Sequence, residues 1–257
     1  MNHVWMVATD GVVFERDEDA RRKAVTMGTV VITGANRGLG LALAQTYRAA
    51  GHTVIGGCRT PAAAVELRAS GAEVSELDIA DLSSVTSFAS ALHGRPVDLL
   101  YNSAGVDTRA FGATDETRGA LTISPNDFES VMRVNVTGPL SLVQALAGSL
   151  RSAHGKVVNI SSQIGSMEVV QRIGRDVAYA VSKAAMNMMT LTQAQAMAND
   201  GVTVIAMHPG WLRTDMGGAE ADLETSDAAF QIVETVSSLT ITDTGRFFRW
   251  DGSIHPW

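Results

Sequence analysis

From residue 29 onward the chain repeats one unit: a short apolar, mostly β-branched run, a turn, then a stretch with helical spacing. The runs fall at residues 29–33, 53–55, 73–77, 97–101, 156–160 and 202–207, and the helical stretches at 40–50, 62–70, 83–92, 125–151 and 177–199. Strands alternating with helices of this length imply βαβ units and a parallel sheet covered on both faces. Right-handed crossovers then give an α/β, doubly wound sheet. No repeat, low-complexity segment or linker divides the chain, so residues 28–257 are read as a single domain. Residues 1–27 end in the mixed-charge stretch Glu15-Arg-Asp-Glu-Asp-Ala-Arg-Arg-Lys23 and are read as an N-terminal extension, packed through Val4, Trp5 and Val12 to Phe14 or else free.

The first strand runs into Thr33-Gly-Ala-Asn-Arg-Gly-Leu-Gly40. Glycines at 34, 38 and 40 let the backbone turn sharply and approach a ligand with no Cβ in the way. The helix opening there aims free N–H groups and its positive dipole end at the turn, which suits a pyrophosphate. A glycine loop between the first strand and first helix is the dinucleotide fingerprint of the Rossmann fold. An NAD site places Asp or Glu about 20 residues on, against the ribose 2′-OH. Here the second strand ends in Cys58-Arg59-Thr60 with no carboxylate. Arg59, with Arg37 from the loop, suits a 2′-phosphate, so NADP is expected and NAD less so.

Tyr179 and Lys183 stand four residues apart in a helical run, one above the other on one face. Neither phenol nor ammonium carries protons well at neutral pH alone. A fixed ammonium beside the phenol lowers its pKa and makes a general acid/base.

In order along the chain, Thr33-Gly-x-x-x-Gly-x-Gly40, Asn102-Ser-Ala-Gly105, Asn135, Ser161-Ser162, Tyr179-x-x-x-Lys183 and Pro209-Gly210 resemble the short-chain dehydrogenase/reductase family. The likeness runs from about Gly28 to the end of the sequence. Cys58-Arg59, Ser161-Ser-Gln-Ile-Gly-Ser166, Ser182-Lys-Ala-Ala-Met-Asn187, the stretch from His208 to Gly218 and Phe248-Arg-Trp-Asp-Gly252 are similar to the branch of sniffer-type carbonyl reductases and bacterial C-factor proteins. The resemblance implies seven strands in the order 3-2-1-4-5-6-7 and a homodimer or homotetramer. It makes Tyr179 the acid/base, Lys183 its partner and a ligand of the nicotinamide ribose, Ser162 the holder of the substrate oxygen, and Asn135 the holder of a proton-relaying water. It assigns cofactor contacts to Gly34, Asn36, Arg37, Gly38, Leu39, Gly40, Arg59, Asp78, Ile79, Asn102, Ala104, Gly105, Pro209, Gly210 and Thr214. The segment of about 211–225 becomes a substrate lid, with Trp211 and Met216 touching substrate. Two departures stand out. Ser103 replaces the usual asparagine, and the stretch between Ser162 and Tyr179 is longer than the family's common spacing, with 168–176 looping out at the substrate mouth.

A net charge of -7 argues against nucleic acid as a partner. No apolar run approaches a membrane span, Val4 to Ala8 is too short for a signal sequence, and Cys58 is the single cysteine; a cytoplasmic setting is expected. The histidines make no metal-ligand spacing, His208 is not read as a base, and the aromatics Phe247, Phe248, Trp250 and Trp257 suit either a pocket wall or an oligomer interface. The expected activity is NADP-dependent hydride transfer to or from a small or medium-sized carbonyl or secondary alcohol. The alternative is a C-factor-like signalling or sensing protein that binds the dinucleotide without essential turnover.

Overall fold

The computed structural model describes Met6–Val7, Val13–Phe14 and residues 27–92, 94–169 and 176–257. Of the N-terminal extension it shows Met6–Val7 paired antiparallel with Val13–Phe14, and the packing expected of Val4, Trp5 and Val12 lies outside the described residues. So does most of the 168–176 insert.

Seven strands form the sheet: β1 (Thr29–Thr33), β2 (Thr53–Cys58), β3 (Glu73–Glu76), β4 (Leu99–Asn102), β5 (Lys156–Ile160), β6 (Thr203–His208) and β7 (Phe247–Arg249). All neighbours are parallel and the order is 3-2-1-4-5-6-7, as the resemblance implied. Eight α-helices are described: α1 (Gly38–Ala49), α2 (Val65–Ala69), α3 (Leu82–Ala91), α4 (Pro125–Met132), α5 (Gly138–Ala145), α6 (Ala147–Ala153), α7 (Val177–Met197) and α8 (Thr225–Ser238).

Alternation along the strands sorts the core into two layers. Val30 and Ile32 of β1 join a cluster with Leu43 and Tyr47 of α1 and Ile232 of α8. Val31 between them joins the opposite cluster, with Phe88 of α3, Leu142 of α5 and Leu150 of α6. Both faces are therefore dry, which is why the strands read as continuous apolar runs.

The single helix expected over 125–151 is three pieces. A π-turn, Arg133–Thr137, joins α4 to α5, and Leu146 leaves helical geometry before α6. Pro139 has no N–H to give the preceding turn, and Gly138 fits only as glycine, since a Cβ there collides with the Ile79 carbonyl. The helix expected over 62–70 shortens to α2 behind a 3-10 turn at Pro61–Ala63. In β2, Gly56 and Gly57 admit close neighbours: a Cβ would meet Leu67 at 2.7 Å and Leu77 at 2.8 Å. A parallel sheet delivers every strand's C-terminal end to one edge, and the candidate site lies there.

Candidate active site

The glycine loop has the geometry its sequence demands. Gly34 and Gly38 hold positive φ (67° and 54°), and a Cβ on Gly40 would run into the Gly34 carbonyl. Helix α1 opens at Gly38, two residues earlier than expected, with Arg37 extended at its N-cap and no side chain capping it. Thr33 ties this loop to the turn after β4: its hydroxyl accepts from the N–H of Ser103 (3.0 Å) and of Ala104 (2.9 Å). The replacement at Ser103 leaves that turn intact.

The loop opens on a cleft of about 2010 Å³, larger than a usual small-ligand pocket and roomy enough for a dinucleotide with a second molecule beside it. Every residue given a catalytic, cofactor or substrate role from the sequence lines it except Asn102 and Asn135, while the aromatics Phe247, Phe248, Trp250 and Trp257 stand outside it. Asn102 points into the core, where its amide donates to Asn159 (2.7 Å). Asp78 accepts from the Ala80 N–H at the lip of β3. Arg37 and Arg59 are exposed at the same end, and Arg37 pairs with Asp215 of the 211–225 segment at 2.5 Å.

At the other end Tyr179 and Lys183 lie on α7, facing Ser162 at the end of β5. The Ser162 hydroxyl opposes the rise of the phenol pKa and accepts from the Ile164 N–H (3.3 Å), capping a short 3-10 turn. That turn is clamped to α7 by Asn187, which accepts from Ser161 Oγ (2.5 Å) and donates to the Gly165 carbonyl (3.1 Å). Buried Lys183 donates to the Ile160 carbonyl (2.7 Å), and its Nζ stands 5.5 Å from the Tyr179 ring centre. The phenol lies above its ordinary value, not below it as expected from the Lys183 neighbour. Enclosure by protein outweighs the other influences and pushes Tyr179 up to about 12, while burial drags Lys183 down to about 8. A lysine whose own charge is disfavoured is a weak electrostatic partner.

Asn135 sits fully buried in the π-turn. Its amide accepts from Val106 N–H (2.9 Å) and donates to Val106 C=O (2.8 Å) and Ser182 Oγ (3.0 Å). Ser182 in turn donates to the Tyr179 carbonyl (2.7 Å).

The segment that carries Trp211 and Met216 closes on itself through a bridge of Leu212 with Leu223 and a bond from Trp211 Nε1 to the Gly217 carbonyl (2.9 Å). Of its two glycines only Gly218 is left-handed; Gly217 is small because a Cβ would strike the Leu212 carbonyl. Phe247 and Phe248 are core residues, Trp250 packs on the core, and Trp257 stacks on Phe247 (5.3 Å). Buried His208 has its pKa lowered to about 3 by burial and by His255, leaving it uncharged.

A model of the family described as short chain dehydrogenase matches residues 28–225. The chain belongs to the short-chain dehydrogenase/reductase family. It is 33% identical to the C-signal protein of Myxococcus xanthus over 174 residues, 66% of this chain and 99% of that one. In structure it is similar to the NADPH-bound carbonyl reductase from chicken fatty liver (TM-score 0.81, 29% identity, 90% of this chain and 99% of that one). It is similar also to the carbonyl reductase Sniffer of D. melanogaster (TM-score 0.81, 25% identity, 90% and 100%).

Within this short-chain dehydrogenase/reductase the sequence reading passed over three cleft residues. Asp107 takes three bonds from Arg109, through its backbone N–H, Nε and Nη2; Arg109 also reaches the Met216 carbonyl (2.7 Å). Asp176, buried, caps α7. Only the last left a trace: an Asp immediately before a helix is an N-cap signature.

Proposed function

We propose that this chain is an NADP-dependent carbonyl reductase acting on small or medium-sized carbonyls, and on secondary alcohols in reverse. One observation carries the reading: Tyr179, Lys183 and Ser162 meet on the wall of a cleft whose far end presents Arg37 and Arg59, with no carboxylate in Cys58-Arg59-Thr60. The glycine loop fits the group, because the N-terminus of α1 opens on the cleft with no side chain capping it. The loop of Gly34, Asn36, Arg37, Gly38, Leu39 and Gly40 would hold the phosphates, Asp78 and Ile79 the adenine, and Ala104, Gly105, Pro209, Gly210 and Thr214 the nicotinamide half. Bound NADPH supplies the hydride.

The chain's own residues manage the oxygen and its proton. Ser162 donates a hydrogen bond to the carbonyl oxygen as charge builds on it, and Tyr179 passes that oxygen its phenol proton. Around Gly105, Asn135 Oδ1 and Lys183 Nζ stand 3.6 and 3.7 Å from the position of a Cβ there. That convergence supports a water held between them, refilling the proton path through Lys183. The assembly is a homodimer or homotetramer in the cytoplasm, which sedimentation and cell fractionation check. No described helix is long and apolar enough to cross a membrane.

The test is NADPH and NADH consumption against a panel of aldehydes, ketones and quinones. Turnover with NADPH is expected, and Tyr179→Phe should lower kcat/KM by about 10²-fold or more while NADPH affinity holds. A wild-type protein that binds NADPH and reduces nothing in the panel overturns the reading. The likeness to the C-signal protein favours a second reading, a dinucleotide-dependent signal. Full biological activity of Tyr179→Phe in cells would select it.

A further inference from the structure

Resting on the reading of Tyr179 as proton donor, we propose that Asp176 is a positioning residue: its single carboxylate locks the first turn of the catalytic helix to the loop after β4 and sets the charge beside the phenol. The geometry is specific. Asp176 Oδ1 accepts from the Tyr179 N–H (2.9 Å), and Oδ2 accepts from the Thr108 N–H (2.8 Å) and Thr108 Oγ1 (2.5 Å). One oxygen therefore holds the helix and the other holds the 3-10 turn Thr108–Phe111. Both groups are buried, with Thr108 at 0% and Asp176 at 7% exposure. An ordinary N-cap satisfies its own helix; this one bonds, across the cleft wall, to a segment 68 residues away.

The charge matters as well as the bonds. Burial is the largest influence raising Tyr179, Ser162 opposes it, and the Asp107 and Asp176 carboxylates each add to it. Among the described residues the other charged neighbours are few. Lys183 lies on α7 itself, Arg109 is bound to Asp107, and Arg118, whose carbonyl accepts the Val177 N–H, is paired with Asp115. On α4 and the π-turn packed against α7, Asp127 is half-buried while Glu129 and Arg133 are exposed. Glu168, at the described edge of the insert, is exposed too. Asp176 thus adds to the hold that burial has on the phenol proton, in the form that carbonyl reduction consumes.

The experiment compares wild type with Asp176→Asn, Asp176→Ala and Thr108→Val in NADPH-driven reduction of 4-nitrobenzaldehyde across the alkaline range. Asp176→Asn should move the falling alkaline limb of kcat down by roughly half a pH unit or more. Thr108→Val, which keeps the charge and drops one bond, should lower kcat with the limb in place. Asp176→Ala should lose both, with NADPH affinity near wild type in all three. A second readout needs no turnover. The chain has three tyrosines, and Tyr47 and Tyr101 are buried with their hydroxyls paired (2.8 Å) and both pushed well up. The Tyr179 phenolate is read as the part of the ultraviolet titration that Tyr179→Phe removes, and Asp176→Asn should bring it out at lower pH. An unmoved limb and an unmoved phenolate in Asp176→Asn, with only thermal stability changed, would overturn the proposal. A shifted phenolate in a protein that reduces no carbonyl would uphold it and sink the functional reading instead.

Discussion

Lys183 carries a cost that its chemistry explains and its folding does not. Its descent from 10.5 to about 8 corresponds to roughly 3 kcal/mol of penalty on the charged form at neutral pH. Replacement by methionine removes that penalty and leaves the Ile160 carbonyl without its donor, a loss of roughly 1–3 kcal/mol. The expected result is a Lys183→Met protein that is inactive yet melts no lower than wild type near neutrality. The sign of the pH dependence follows from proton counting. Below about 8 the lysine is charged in both folded and unfolded chains; between about 8 and 10.5 only the unfolded chain holds the proton, so wild-type stability rises with pH there. The mutant's advantage should shrink across that window in parallel melting curves, and a mutant several degrees less stable at neutral pH contradicts the account. At the ribose end, Arg59→Asp should replace a phosphate-pairing cation with a 2′-OH acceptor. Wild type should favour NADPH over NADH by about tenfold or more, the scale of one charged hydrogen bond; direct binding titrations check both. At this scale the sequence showed which residues would share a cleft but not their titration. The phenol's direction was missed because spacing along a helix reveals the neighbouring ammonium, whereas enclosure depends on segments such as 107–111 that fold in from elsewhere. Asn102 shows the same gap: its place in a motif was legible, and its turn inward to Asn159 was not.

Among the elements, the turn after β5 is tightly registered. A Cβ on Gly165 would sit 2.6 Å from the Lys183 carbonyl carbon and 2.8 Å from its oxygen, backbone atoms of α7 that cannot step aside. Gly165→Ala should lift the Ser162 turn away from Tyr179, lowering kcat more than KM and costing about 1–3 kcal/mol in denaturant titration. An alanine variant with wild-type kcat would show that the turn has slack. The segment after β6 behaves differently, since Trp211 is half exposed and its indole is bonded within its own loop. Trp211→Ala or Met216→Ala should raise substrate KM several-fold and leave NADPH affinity within about twofold. Parallel loss of both would mark the segment as framework. Strands and long helices were readable because dry faces demand continuous apolar runs. The break at the π-turn was not, because it answers to the fit of Gly138 against Ile79, a contact between distant parts of the chain.

On the scale of the whole molecule, the order 3-2-1-4-5-6-7 puts the first strand of the domain inside the sheet, third of seven, and the last at a margin. Synthesis on a ribosome therefore lays down an interior strand first, adds β2 and β3 on one side of it, and then β4 to β7 on the other. Until residues 247–249 appear, β6 is the growing margin, and all six of its residues, Thr203–His208, are buried in the finished protein. An apolar strand with unpaired backbone is a template for pairing with another chain. Three residues of β7 close it, backed by the turn that brings Ile254 onto Phe248. Chains halted after residue 243 should accordingly form aggregates in cell-free synthesis, and a peptide spanning 244–257 supplied during translation should restore part of the soluble yield.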